Sequence, residues 1–410
     1  MSISFRFFVG LDLGAQQHQL RLIDQDGQER GELCFEHGGP GVQSMRAWLQ
    51  QAGATAAQTA VALEAPRGPV VDALLEQGYA VFSINPKQLD RFRDRFSVGG
   101  AKDDRRDALV LASSLRTDPG CFRRLQPEDP AVLRLRELSR AEASCHEDLR
   151  GATNQLWSLL QRYFPALLSL CPGADEPWLW SLLARVQALP HPAAKLSRKH
   201  IQGLLDKHRI RRFSAEQVAQ CLHSPLPLAP GVAPALAERV RLLLPRLILL
   251  DRQWAELGQR TEKLLQEMSQ EGHCREHRTV QILRSIPGFG RIGTATVLAE
   301  ASAALADRDY HTLRALCGLA PITQQSGKTK LVSMRRACNP RLRQALFHCA
   351  QAHALYDDRA KQLYAQHRRK GQLHARALRS VGDRLLALLI ALLRKQTLYD
   401  PQLRTTATSS

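Results

Sequence analysis

Four acidic residues have a type and spacing that suit metal-ion chemistry. Asp12 and Glu64 each end an apolar, strand-like run, and Asp104 and Asp107 lie three residues apart at the start of a helical pattern. Residues at i and i+3 share one face of a helix. Carboxylates that gather in one place repel each other unless a cation lies between them. Because hard oxygen ligands suit Mg²⁺ or Mn²⁺, the pattern predicts a divalent-metal site.

The chain carries a large positive charge. Its 410 residues include 57 lysines and arginines against 39 aspartates and glutamates, which gives a net charge of +18 at pH 7. The excess is too spread out for a single tail, and it predicts a broad surface for a polyanion. A carboxylate-held metal in such a protein indicates phosphodiester chemistry on a nucleic acid.

Neither export nor membrane insertion is expected from this sequence. The mean hydropathy is −0.28. The apolar runs at 7–13 and 385–393 are too short for a signal peptide core or a membrane span. Nine cysteines at irregular spacing favour reduced thiols. We therefore expect a cytoplasmic protein.

The metal-site residues need a sheet to position them, and the pattern over the first 115 residues predicts a mixed α/β sheet. Three strands come first and are joined by turns, after which helices and strands alternate. Pro86 is expected to open one of the helices. The predicted strands are 5–13, 18–24, 29–36, 60–64 and 80–84, and the other predicted helices are 42–51, 70–77 and 104–115.

Two long helical patterns follow, at 131–168 and 235–270. Shorter helices lie between them, and a proline-rich stretch at 224–234 is expected to be a loop or linker. Two long helices that flank a variable insert indicate an antiparallel coiled-coil arm. A simple helical bundle is the alternative, and the sequence leaves both open.

The segment Ile286-Pro287-Gly288-Phe289-Gly290 lies between two helical patterns. This arrangement is typical of the hairpin in a helix-hairpin-helix. Turn glycines leave backbone N–H groups available to hold a phosphate. The alternative is an ordinary glycine-bearing turn between helices.

In their order and separation, these motifs resemble those of the DEDD-type insertion-sequence transposases, which are understood as bridge-RNA-guided serine recombinases. The resemblance covers nearly the full length. Its N-terminal motifs are Val9-Gly10-Leu11-Asp12, Leu63-Glu64-Ala65 and Lys102 to Ala108. Its C-terminal motifs are 286–290, Cys317 to Pro321, Gln325-Ser326-Gly327-Lys328, Asn339 to Arg343 and Leu398 to Pro401.

The resemblance implies three domains. The first is an α/β ribonuclease-H-like (RuvC-like) domain at 1–125. The second is an α-helical coiled-coil insert at 126–275. The third is a mainly α C-terminal transposase domain at 276–410, with the helix-hairpin-helix-like segment and the catalytic serine.

The resemblance also implies the site residues. Asp12, Glu64, Asp104 and Asp107 would surround Mg²⁺ or Mn²⁺, and Ser326 would be the nucleophile, with Ser333 as the fallback. This chain has Lys-Asp-Asp where the family usually has Lys-Thr-Asp or Lys-Ser-Asp, so Asp103 is an alternative ligand. Asp104 is preferred because it keeps the three-residue separation from Asp107. The nucleic-acid contacts would be Lys102, Arg105, Gly288, Gly290, Lys328, Lys330, Arg335 and Arg336.

The implied activity is RNA-guided DNA recombination through a metal-assisted phosphoserine intermediate. The implied partners are donor and target DNA and a noncoding guide RNA encoded by the element. Homodimers would assemble into a tetramer in the bacterial cytoplasm, associated with the nucleoid.

Three other functions remain open. A Holliday-junction-resolvase-like metal nuclease explains the four carboxylates but leaves Ser326 unused. An inactive nucleic-acid-binding protein explains only the charge. A sugar-kinase-like ATPase shares the segment Gly10-Leu11-Asp12-Leu13-Gly14, but the sequence lacks convincing later phosphate and adenosine loops.

Overall fold

The structure is a computed structural model that describes residues 5–64, 66–96, 103–188, 196–224, 226–272, 276–326 and 329–402. The chain divides into two compact units, Met1–Glu128 and Asp129–Ser410. The expected mixed α/β N-terminal region and mainly helical C-terminal region are confirmed. The further division at residues 275 and 276 stays a prediction.

Six strands form the sheet of the first unit. They are β1 (Phe7–Leu13), β2 (Gln17–Asp24), β3 (Glu29–Glu36), β4 (Thr59–Leu63), β5 (Ala80–Ser83) and β6 (Arg123–Arg124). Their order is β3-β2-β1-β4-β5-β6. β1 pairs antiparallel with β2 and parallel with β4, which in turn pairs parallel with β5. This arrangement is compatible with a ribonuclease-H-like fold.

Four helices accompany the sheet: α1 (Gly39–Gln51), α2 (Pro69–Glu76), α3 (Pro86–Phe96) and α4 (Asp104–Thr117). The contact between α4 and β1 is unusually close at Gly10. A Cβ at Gly10 would lie 1.8 Å from the backbone oxygen of Ala108 and 2.6 Å from the backbone nitrogen of Ala112. Real Cβ atoms do not approach backbone so closely, so only glycine lets α4 pack on the strand that carries Asp12.

The second unit contains eleven helices within the described residues. They are α5 (Pro130–Tyr163), α6 (Pro177–Arg185), α7 (Arg198–Lys207), α8 (Ala215–Leu222), α9 (Val232–Met268), α10 (His277–Ser285), α11 (Arg291–Ala306), α12 (Tyr310–Leu316), α13 (Pro340–Tyr356), α14 (Asp358–Arg369) and α15 (His374–Lys395). α5 ends at Tyr163, five residues before the predicted end at 168. Pro165 explains the early end, because a proline disfavours helical geometry at the residue before it, and Phe164 has φ −144° and ψ 51°.

The two long helices α5 and α9 run antiparallel. Leu135, near the start of α5, shares a core with Leu264 near the end of α9. Farther along, the Cys145 thiol donates to the backbone oxygen of Leu250 at 3.4 Å. The C-terminal half of α5 packs with residues 236–247 and with α6 to α8 in a separate apolar core.

Another core of the second unit gathers α10, α11, α12, α13 and α15 around the N-terminal end of α5 and the C-terminal end of α9. The segment between α10 and α11 is a tight turn, in which Gly288 has φ +105°. A Cβ there would lie 2.5 Å from the backbone oxygen of Cys349 in α13. Glycine therefore allows both the left-handed backbone and the close packing of this turn on α13.

A two-stranded hairpin interrupts the helices, a feature that the sequence pattern does not predict. β7 (Ile322–Ser326) pairs antiparallel with β8 (Thr329–Ser333), and Ser326 is opposite Thr329. Every residue of β8 is exposed. No helix in the described part of the chain is both long and apolar enough to cross a membrane.

Candidate metal centre and serine hairpin

Asp12 and Glu64 lie at the carboxyl ends of neighbouring parallel strands. The last paired residues of β1 and β4 are Leu11 and Leu63, and each acidic residue comes next in its chain. Because paired positions of neighbouring strands present side chains on the same face, Asp12 and Glu64 belong to one face at one edge of the sheet. Asp12 is also two residues after Gly10, so this face is the one that α4 covers.

The helix α4 carries the other two carboxylates in its first turn. Asp107 is next to Ala108, the residue that contacts Gly10, and only 2% of Asp107 is exposed. Asp104 is three residues earlier and exposed. The close packing at Gly10 thus brings the first turn of α4 to the part of β1 that leads to Asp12.

Arg93 of α3 contacts two of these four carboxylates, Asp107 and Glu64. Its Nε donates to Asp107 at 2.7 Å, and a second guanidinium nitrogen donates to the other oxygen of Asp107 at 2.8 Å. A guanidinium nitrogen also lies 3.9 Å from Glu64. Burial would lower the pKa of Arg93, but the hydrogen bond and charge of Asp107 outweigh burial and raise this pKa. The guanidinium therefore serves as a fixed positive charge between two of the four predicted ligands.

The four carboxylates, as far as the structure describes them, do not form a closed metal-binding site. Within the described residues, no three of them have oxygens that all lie within 4.8 Å of one another. The set that meets this distance is Cys171, Asp175 and Glu176 in the second unit. Glu176 there pairs with Arg212 and accepts a hydrogen bond from Trp178, so this set has a structural explanation.

Asp103 and Asp104 differ in what their side chains do. Asp103 is the N-cap of α4, and its carboxylate accepts a hydrogen bond from the backbone nitrogen of Arg105 at 3.2 Å. Capping satisfies one of the free N–H groups at the start of the helix. This role gives Asp103 a reason to be acidic that is independent of a metal, which supports the choice of Asp104 as the ligand.

Ser326 is the last residue of β7 and is exposed. Its pairing with Thr329 fixes the end of the hairpin, whereas Ser333 pairs with Ile322 at the other end. Within the described residues, no histidine or carboxylate makes a hydrogen bond to the Ser326 hydroxyl. Lys102 and Lys328, two of the predicted contacts, lie outside the described residues.

Three cations on the serine hairpin or just after it have no acidic partner within the described residues. Lys330 is opposite Gln325 on the hairpin, and Arg335 and Arg336 follow β8 closely. None of these three cations makes an ion pair within the described residues. The buried Nε of Arg335 also has no hydrogen-bond partner there. An unmatched cluster of this kind is suited to an anionic ligand.

The remaining predicted contacts are distributed over both units. Arg105 is exposed, and its guanidinium lies 3.9 Å from Glu32. Gly290 is exposed at the N-cap of α11. Gly288 packs against α13, so its identity has a structural reason, and its contact with phosphate stays a prediction.

A buried carboxylate links α5 and α11 to the start of α13, the helix that follows the hairpin. Only 3% of the Glu300 side chain on α11 is exposed, and it accepts hydrogen bonds from Arg140 at 3.0 and 3.2 Å and from Asn339 at 3.1 Å. Arg341 lies 3.4 Å from Glu300 and also donates to the Ser139 hydroxyl at 2.8 Å. Asn339 is the N-cap of α13, directly downstream of the hairpin segment.

Arg93 and Glu300 are members of these clusters that sequence spacing does not identify. Arg93 stands in a basic run with Arg91 and Arg95, and nothing in its spacing separates it from them. Glu300 interrupts the apolar pattern of α11, and only its burial distinguishes it from a surface residue.

Comparison with known proteins gives matches at both ends of the chain. A transposase family model, of the DEDD type named for IS110, matches residues 9–165. The model of the transposase IS116/IS110/IS902 family matches residues 280–365. These two ranges include every predicted carboxylate ligand and Ser326.

Three relatives extend the match. The protein y4uE of Sinorhizobium fredii, whose name assigns it to the transposases, is 46% identical over 56% of this chain and 62% of its own length. The mini-circle protein for IS117 of Streptomyces coelicolor, also named as a transposase, is 31% identical over 97% of this chain and 96% of its own length. The 43.6 kDa protein of insertion element IS110 from the same species is 24% identical over 97% of this chain. The chain therefore belongs to the IS116/IS110/IS902 family of transposases.

Proposed function

We propose that this protein is an RNA-guided DNA recombinase of an insertion sequence, which cuts and exchanges strands through a phosphoserine intermediate. The observation that carries the proposal is Ser326, an exposed hydroxyl at the end of a paired hairpin whose neighbouring cations have no acidic partners within the described residues. Four carboxylates of the first unit, Asp12, Glu64, Asp104 and Asp107, here called the acidic face, would supply the second requirement, a site for a divalent cation.

The carboxylates of the acidic face are the ligand type that a hard cation prefers. Asp12 and Glu64 occupy one edge of the sheet, and a bound cation would take the place of the Arg93 guanidinium beside Asp107 and Glu64. Asp12, Glu64, Asp104 and Asp107 would hold Mg²⁺ or Mn²⁺. When bound, the ion would neutralise phosphate charge and polarise a phosphorus–oxygen bond.

Ser326 would act as the nucleophile. Its Oγ attacks phosphorus, a new Oγ–P bond forms, the bond from phosphorus to a deoxyribose oxygen breaks, and that oxygen leaves with the serine proton. The new ester keeps the phosphodiester bond energy, so strands can be rejoined without ATP. Lys330, Arg335 and Arg336 would hold the phosphates on either side.

The proposed partners are donor DNA, target DNA and a noncoding guide RNA encoded by the element. A basic protein that contacts backbone phosphates can leave the choice of sequence to base pairing. The net charge of +18 supports this division of roles. Dimers that pair into a tetramer would hold the two DNA partners together.

The test is detection of the covalent intermediate. The full chain is incubated with guide RNA, Mg²⁺ and DNA that carries the junctions of the element, and the reaction is stopped in detergent. We expect a protein–DNA adduct whose modified residue, found by mass spectrometry, is Ser326. Ser326→Ala should form none, whereas Ser333→Ala, at the other end of the hairpin, should form it.

Cleavage without any adduct would instead support the resolvase-like nuclease, which needs only the carboxylates. An adduct on Ser333 would move the nucleophile to the other end of the hairpin. Activity without the guide RNA would contradict RNA guidance while leaving the serine chemistry intact.

A further inference from the structure

A cavity of about 350 Å³ opens at the base of the serine hairpin. Met334, the first residue after β8, forms one wall, and residues of α13 and α15 form others. The lining is mostly apolar and includes Leu319, Phe347 and Leu378. The volume lies at the lower end of the range for small-molecule sites, about 300–1,000 Å³.

The charged residues that line this cavity are both arginines, Arg343 and Arg379. No carboxylate lines it, and neither arginine makes an ion pair within the described residues. A guanidinium nitrogen of Arg379 lies 3.3 Å from the Met334 sulfur, which is only a weak acceptor. Two guanidinium groups without an acid favour a ligand that brings negative charge.

The half-buried Phe347 gives the cavity an aromatic wall. Its ring meets the His374 ring edge to face, with the two centroids 6.2 Å apart. Apolar and aromatic walls beside arginines match the chemistry of one nucleotide, because a base stacks on an aromatic ring and its phosphates pair with guanidinium groups.

We propose that this cavity accepts one unstacked nucleobase of the DNA strand whose phosphate is held at Ser326, with Arg343 and Arg379 on the adjoining phosphates. The proposal rests on the proposed function, because it takes DNA as the substrate of the hairpin. Ser326 is four residue steps along β7 from Ile322, about 13 Å at 3.3 Å per residue. At a stacked spacing of about 3.4 Å per nucleotide, the captured base lies within about four nucleotides of the reacting phosphate.

The test compares two labelled single-stranded DNA probes of ten nucleotides, one with bases and one abasic throughout. Binding of each probe to the full chain is measured by fluorescence anisotropy at one salt concentration. Since both probes carry the same phosphates, a difference in affinity reports the bases. We expect the base-containing probe to bind about tenfold more tightly, as stacking of one base on an aromatic side chain permits.

Two variants with opposite effects on the cavity should each remove this preference. Phe347→Leu keeps apolar volume but removes the ring, and Ala375→Phe fills the cavity from an exposed position on α15. Arg343→Gln and Arg379→Gln should weaken both probes equally. Arg252→Gln, an exposed arginine on α9, is the control and should leave the preference unchanged.

Ser326→Ala protein should keep the preference, so the result does not depend on strand cleavage. Equal affinity for the two probes overturns the cavity proposal and leaves the proposed function standing. A preference that survives both Phe347→Leu and Ala375→Phe also overturns it. The same holds if the preference for bases is seen with a matched pair of RNA probes and not with the DNA probes. Failure of the protein to bind either probe overturns the cavity proposal, whereas the proposed function is decided separately by the covalent adduct on Ser326.

Discussion

At the scale of single residues, Arg93 reduces the repulsion between the carboxylates of the acidic face. A buried carboxylate is stable only when it is paired, and the bidentate contact from Arg93 pairs Asp107. A divalent cation at this face would compete with the guanidinium for the same oxygens. Metal affinity and local stability would therefore be coupled through the Arg93 side chain.

We predict that Arg93→Ala lowers stability in the absence of metal by about 2 kcal/mol, because Asp107 loses its charged partner. Mg²⁺ or Mn²⁺ should then raise the melting temperature of the variant more than that of the wild type. The measurement is a thermal melt with and without metal. Arg95→Ala, which removes an exposed ion pair with Asp118, is the control and should change little. Equal metal-induced shifts in Arg93→Ala and wild type would contradict the competition.

Asp103 and Asp104 provide a matched pair of substitutions. Asp103→Asn should retain adduct formation, because asparagine also caps a helix. Asp104→Asn should abolish adduct formation while changing the melting temperature little, because this exposed side chain is a predicted metal ligand. Adduct yield and thermal melts measure both effects. The reverse pattern would show that Asp103 is the ligand.

At the scale of elements, Glu300 joins α5, α11 and α13 next to the serine hairpin. Burial would raise the pKa of Glu300, but the hydrogen bond and charge of Arg140, with Asn339 and Arg341, outweigh burial and lower it. A carboxylate with a lowered folded-state pKa stabilises the fold above its unfolded-state pKa. That stability is lost as the pH falls through the folded-state value.

Glu300→Gln should therefore cost about 3 kcal/mol of stability near neutral pH, since it leaves Arg140 and Arg341 without their buried counter-charge. The difference in melting temperature from wild type should shrink as the pH falls below 4.5, the ordinary value for glutamate. Glu137→Gln is the control, because Glu137 also lies near Arg140 but 77% of its side chain is exposed. A difference that is constant between pH 3 and pH 7 would refute this account of Glu300.

At the scale of the whole molecule, the two units carry different parts of the proposed chemistry. The carboxylates belong to Met1–Glu128, whereas the serine hairpin, its cations and the cavity belong to Asp129–Ser410. The excess positive charge belongs to the second unit, because residues 1–128 hold 15 lysines and arginines against 16 aspartates and glutamates. A charge of this size makes binding to nucleic acid depend strongly on salt, because each phosphate contact releases counterions.

Binding to duplex DNA should weaken steeply with salt, with a slope of about −0.9 per neutralised phosphate in a plot of log affinity against log salt. Replacement of Lys330, Arg335 and Arg336 by glutamine should make the slope shallower by about 0.9 for each phosphate that is no longer neutralised. Lys263→Gln, which removes a cation near Glu267 on α9, serves as the control. A flat dependence between low and physiological salt would be incompatible with a broad phosphate-binding surface.

Much of the first unit follows from local pattern. Short apolar runs predict β1 and β4, and alternation of apolar and polar residues predicts β2. The same pattern places Asp12 and Glu64 at strand ends and Asp104 and Asp107 on one helical turn, since these placements depend only on sequence spacing. The end of α5 is predicted five residues late, because the apolar pattern continues past Pro165 although a proline disfavours helical geometry at the residue before it.

Contacts between residues far apart in sequence do not follow from local pattern. The pairing of Arg93 with Asp107 depends on how α3 packs beside α4. The burial of Glu300 depends on α5, where its partner Arg140 lies 160 residues earlier in the sequence. The hairpin at Ser326 is also missed, because its exposed strands carry little of the apolar alternation that marks a half-buried strand. Sequence spacing thus selects the candidate residues, whereas packing between distant elements decides which of them share charge, burial and access to a ligand.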